Sequence, residues 1–179
     1  DGYSNARVHK YDASGRYLFS WGESGTDLGQ FNIVHNVAID KDGWVYIGDR
    51  ENQRVQVFSS DGKFETQWVN MSRPAGVAID WRGDQKVYLA EFWCAIASNA
   101  EGLRLGPRVS ILDHNGNILA RLGDEPPGVA SGRFYAPHGI AVDSKGDIYV
   151  AEVASSEYGA KQDPPVKGLR TMRKLTRKK

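Results

Sequence analysis

The sequence predicts an all-β chain made of repeated four-stranded units, and three observations carry that expectation. The segments VAIDKDGWVYIGD (37–49), VAIDWRGDQKVYLAE (77–91) and IAVDSKGDIYVAE (140–152) align as one unit: apolar strand, Asp, glycine-containing turn, second apolar strand, acidic residue. Two of these are followed by a second hairpin closed on Asp-Gly or Asn-Gly, RVQVFSSDGKFETQW (54–68) and RVSILDHNGNILARL (108–122). No segment shows the 3.6-residue apolar period of an amphipathic helix. Four short strands in about 40 residues, repeated with polar turns, are the pattern of a β-propeller blade.

Taken in order, ARVHKYDASGRYLFSW (6–21) fits only the outer hairpin of a blade, so residues 1–28 read as a half blade. Residues 29–70, 71–123 and 132–179 then read as three further blades, about three and a half in all. Propellers close with roughly four to eight blades. The chain is therefore expected to be the C-terminal part of a larger ring, with missing N-terminal blades as its first partner. The basic end, KGLRTMRKLTRKK, reads as a last strand with a solvated terminus.

Composition excludes several classes. A formal net charge of +1 over 179 residues argues against a nucleic-acid surface. No apolar run approaches the roughly 18 residues of a transmembrane segment. A lone cysteine, Cys94, precludes an intrachain disulfide.

Strand direction places the notable residues. If the strand opened by His35 runs from a top face to a bottom face, the bottom turns are all short (DASG, DKDG, SSDG, DHNG, DSKG). The long connections, WGESGTDLGQ and FWCAIASNAEGLRLGP among them, collect at the top, the face expected to carry function. His35 and His138 open equivalent strands two blades apart, and the blade between them has Ala75 in that slot. In a six-bladed ring two steps are about 120°, so alternate blades aim three such residues at one axial point. Three imidazoles with an open position make a catalytic zinc site; alternatively, each histidine hydrogen-bonds the channel rim. Counting hairpin residues sets Asp49 opposite His35 and Glu152 opposite His138, as candidate orienters of the rings. Tyr3 and Arg50 also emerge at the top, and Phe92 and Trp93, which begin the insert at 92–107, are candidates for an apolar wall beside the metal.

DGYSNARVHK and the segments that follow, GQFNIVHNVAID and GDREN, resemble the lyase domain of peptidylglycine α-amidating enzymes, a six-bladed propeller of NHL-type repeats. APHGIAVD and IYVAE continue the resemblance more loosely. It implies cleavage of a peptidyl-α-hydroxyglycine, or a small amidoglycolate-type substrate, to an amide and glyoxylate. It places His35 and His138 on two of three zinc ligands, Tyr3 on a catalytic base, and Arg50 on an arginine that tunes the tyrosine or holds the substrate carboxylate. The third histidine would lie some 45–65 residues upstream of Asp1, two blades of about 40–50 residues before His35, and a further arginine also lies upstream. The sequence departs from the family at Gly139, where an Asp that helps bind calcium is expected, which puts calcium in doubt. Ser4 replaces a cysteine of secreted animal members. The compartment is left open by the residues; the resemblance points to an extracytoplasmic or secreted setting. Two other functions fit the repeats: a non-catalytic propeller that binds a protein or carbohydrate, and a calcium-dependent propeller hydrolase, for which the dense carboxylate ring is not visible.

Overall fold

A computed structural model describes residues 1–94, 105–123 and 126–177. A two-stranded hairpin, β1 (Val8–Tyr11) and β2 (Tyr17–Trp21), comes first. Next is a four-stranded meander of β3 (Val34–Ile39), β4 (Val45–Asp49), β5 (Arg54–Phe58) and β6 (Phe64–Trp68). A second meander holds β7 (Arg73–Asp80), β8 (Lys86–Phe92), β9 (Arg108–Leu112) and β10 (Ile118–Leu122). The last sheet contains β11 (Pro137–Val142), β12 (Ile148–Glu152) and β13 (Met172–Leu175), with a helical turn α1 (Ala154–Glu157) and a 3₁₀ turn (Gly159–Lys161) between β12 and β13. Every pairing is antiparallel and between strands consecutive in the chain, as the repeat predicts for a β-propeller.

Four of the bottom turns close by one local device. Asp40 Oδ1 accepts the backbone N–H groups of Asp42 and Trp44, each at 2.9 Å. Asp12, Asp113 and Asp143 do the same in their own turns. This is the side-chain turn that makes Asp favourable where a strand must reverse.

Sheets stack face to face, because β4 and β5 are buried along their whole length while the outer strand β6 is mostly exposed. Tyr46, Val55, Val57 and Trp68 of one blade pack on Val77, Val87, Leu89 and Leu112 of the next. Phe31, Ile47 and Phe58 bind the opening hairpin through Val8 and Trp21, and Tyr88 and Val109 meet Ile148 and Val150. Each fully buried apolar side chain contributes about 1.5–3 kcal/mol, so these inter-blade seams hold the array together.

The inner strands differ from the expected register. Val34 pairs with Asp49 and Asn36 with Gly48; Pro74 pairs with Glu91 and Gly76 with Ala90; Pro137 pairs with Glu152 and Gly139 with Ala151. Residues 35, 75 and 138 are thus each the extra residue of a β-bulge. His35 is not opposite Asp49, nor His138 opposite Glu152. A bulge inserts one residue without a partner and re-aims its side chain, which a simple count from the turn cannot register.

Candidate functional site

The bulges bring residues of three sheets together. The His35 and His138 ring centroids lie 4.7 Å apart, at an interplanar angle of 76°. Gly76 makes this approach possible, because a Cβ there would run into the carbonyl oxygen of His138. Ala75, in the slot between, contributes its backbone: His35 Nδ1 lies 2.7 Å from Ala75 O. A carbonyl only accepts, so in the neutral ring Nδ1 carries the hydrogen and Nε2 keeps its lone pair. Burial lowers the pKa of both histidines. The positive charge of Arg50 reinforces the shift at each, and Arg73 adds to it at His35. Both rings are therefore held toward the neutral, ligand-competent form.

Tyr3 reaches the pair from the N-terminal segment. Gly2 lies so close to Val34 O that no Cβ could fit, and this contact sets the DGY turn on β3. The Tyr3 and His35 rings are 6.0 Å apart, and Arg50 Nη1 donates to the Tyr3 hydroxyl at 3.0 Å. Arg50 is 8% exposed, and its Nε donates to Glu51 Oε1 at 2.8 Å. Glu51 is also held by Arg73 of the next blade, whose Nε contacts both carboxylate oxygens at 3.1 Å. These two arginines outweigh burial and keep the Glu51 carboxyl below its usual range. Sequence reasoning missed Arg73 and the bridging role of Glu51; the one available signal was an arginine two residues before the Ala75 slot.

Phe92 is buried with its ring 5.6 Å from His138, and the Arg73 guanidinium lies 5.6 Å from the Phe92 ring and 6.0 Å from that of Trp93. Trp93 is half-buried and also faces Lys161 at 5.2 Å. Residues 95–104 of the insert lie outside the described residues.

Asp49 and Glu152 are not orienters of the rings. Asp49 Oδ1 accepts the Asn32 N–H at 2.8 Å, and Oδ2 accepts Arg54 Nε at 2.7 Å, with Asn52 and Gln56 also bound. Glu152 accepts the N–H groups of Tyr135 and Ala136 and pairs with Arg173. Glu91 of the intervening blade accepts Ser72 N–H and pairs with Arg108. Each acid ties the entry of the first strand to the start of the third, a buckle repeated in every sheet that has an inner strand.

The two imidazoles suit a borderline metal such as zinc as two of its donors. Among the described residues no group of three or more His, Cys, Asp or Glu side chains is arranged to hold a metal ion. Gly139 offers no side-chain oxygen, and a Cβ there would meet only Ala151 Cβ, at 3.4 Å.

Consecutive meanders stacked face to face, with bulged inner strands at one end, define a β-propeller. Residues 31–58 and 134–157 match the NHL repeat family, so two of the blades carry NHL repeats. The chain is 34% identical over 165 residues to NHL repeat-containing protein 3 of Mus musculus, covering 90% of this chain and 43% of that protein. It is 29% identical over 168 residues to peptidyl-glycine alpha-amidating monooxygenase B of Xenopus laevis, covering 85% of this chain and 17% of that protein. The chain thus spans less than half the length of these relatives. A solved streptogramin B lyase superposes with a TM-score of 0.60 at 17% identity, over 86% of this chain and 43% of the other, a likeness of fold alone. No helix among the described residues is long and apolar enough to cross a membrane.

Proposed function

We propose that this chain supplies part of the active centre of a lyase that cleaves a peptidyl-α-hydroxyglycine to a peptide amide and glyoxylate, completed by upstream blades of a six-bladed ring. The observation that carries the reading is the conjunction of Tyr3, bonded to Arg50, with a histidine whose Nδ1 is committed to a carbonyl and whose Nε2 is left open. The amidating monooxygenase relative, matched over 85% of the chain, supports it.

His35 and His138 are the residues that would hold zinc, which when bound makes a nearby hydroxyl a better acid. Tyr3, as the phenolate, takes the proton of the substrate hydroxyl, and Arg50 holds the phenolate oxygen through the hydrogen bond it already makes. The resulting alkoxide closes to an aldehyde carbonyl as the C–N bond breaks. The amide nitrogen leaves with the bonding pair and recovers the proton from Tyr3. Phe92 excludes water on the His138 side. Calcium has no part in this reading.

A second reading is a non-catalytic propeller that presents its top loops to a protein or carbohydrate partner. It is favoured by the match over 90% of the chain to NHL repeat-containing protein 3. Zinc content and turnover of the intact protein decide between the two. The lyase reading expects one zinc per ring and release of glyoxylate from an α-hydroxyglycine substrate; a metal-free, inactive ring would sink it.

A further inference from the structure

Tyr3 stands at the junction of two unlike surfaces. Its hydroxyl meets the charged group of Arg50, Glu51 and Arg73. Tyr3 also bounds a cleft of about 390 Å³, together with Ser24, Thr26, Phe31, Asn32 and Ile33, with no charged side chain lining it among the described residues. Its volume falls within the range of small-ligand sites. Phe31 is fully buried behind it, so the surface a ligand can touch belongs to Tyr3, the half-buried Ile33 and the exposed Ser24, Thr26 and Asn32. The cleft therefore has an uncharged lining, apolar at Tyr3 and Ile33 and hydrogen-bonding at Ser24, Thr26 and Asn32.

The backbone here is strained. Ile33 has φ of +62°, a conformation that a β-branched residue avoids. It is held there from the segment that carries the site. Asp49 accepts the Asn32 N–H, Arg50 N–H donates to Ile33 O at 3.1 Å, and Glu51 N–H donates to Asn32 O at 3.0 Å. Strain of this kind costs of order 1–3 kcal/mol and persists where the surroundings over-determine it, commonly at binding sites. The cleft wall and the Arg50–Glu51 segment thus form one pinned unit.

We propose that this cleft is the acyl-side subsite of the reaction proposed above, and that it takes the uncharged side chain and backbone of the residue preceding the hydroxyglycine. The inference rests on the lyase reading. The substrate has one end with a carboxylate and one end without, and the charged and uncharged surroundings that meet at Tyr3 differ in the same sense. A charged side chain desolvated against Ile33 would find no counter-charge among the described residues that line the cleft, so the subsite discriminates against Asp and Lys.

The test uses the intact protein and its Thr26→Trp variant, an exposed position where a bulky ring fills the cleft without entering the core. N-acetyl-Phe-α-hydroxyglycine should be a better substrate than the Asp or Lys analogue by tenfold or more in kcat/KM. Thr26→Trp should raise KM for the Phe substrate at least tenfold, while N-acetyl-α-hydroxyglycine, which leaves the cleft empty, stays within twofold. Equal losses on both substrates, or no preference against charge, would overturn the assignment. If no substrate turns over, the lyase reading fails. Calorimetric titration with N-acetyl-phenylalaninamide then decides the cleft alone: binding that Thr26→Trp abolishes upholds an uncharged-peptide site, and no binding removes it.

Discussion

Replacing Asp49 separates the two roles that its position allows. The carboxylate is fully buried, and its partner Arg54 is 6% exposed. Asp49→Ala strands the Arg54 guanidinium with Gln67 and the carbonyls of Asp27 and Gln30 as its remaining partners, and leaves the Asn32 N–H without its acceptor. Breaking one side of such a buried pair costs about 3–5 kcal/mol. In a chain of this size 1 kcal/mol shifts Tm by about 2–4 °C, so the melting point should fall by about 10 °C. Circular dichroism melts give that number, and competition with a chromophoric chelator gives zinc affinity in the intact protein. The paired change Asp49→Leu with Arg54→Met removes both charges and should recover much of the loss. An orienter of His35 would behave in the opposite way, with zinc affinity falling about 10- to 100-fold and Tm little changed. That result would refute the buckle.

Gly76→Ala should displace the inner strand that carries His138, since the added methyl meets the His138 carbonyl; a lower Tm together with weaker zinc binding is expected, and wild-type values for both would contradict the close approach. Tyr3→Phe in the intact protein should leave zinc content and Tm unchanged and reduce kcat by about 10²–10⁴-fold; unchanged turnover removes Tyr3 as the base. The histidines titrate below 6.5 in the folded state, so folding stability from their neutral rings is complete above pH 6.5 and is lost as pH falls through the depressed folded values. Urea midpoints measured from pH 7.5 to 5 should fall, and the slope should flatten in the His35→Gln, His138→Gln double variant; a slope unchanged by the substitutions would assign the acid sensitivity elsewhere.

The hairpins were legible because their signals are local: strand alternation, an Asp before most reversals, and a glycine in the turn. The slot shared by His35, Ala75 and His138 was legible as a repeat position, but its geometry was not. The bulge leaves no mark in composition, and one extra residue turned two buckle acids into false neighbours of the rings. The Arg73–Glu51 contact crosses between blades, so no local pattern announces it. Yet the repeats contain the information that separates architecture from chemistry. An acid at the end of the second strand occurs with an arginine at the start of the third in all three sheets that have an inner strand: Asp49 with Arg54, Glu91 with Arg108, Glu152 with Arg173. What recurs in every such sheet is required by the sheet. The imidazole recurs in two of three, and the third forms the same bulge with an alanine, whose carbonyl alone makes the contact to His35. The fold therefore has no need of a ring at that slot. His35 and His138 are surplus to the blade and are brought within 4.7 Å of each other by it, which is the strongest reason to look for their role in chemistry rather than in folding.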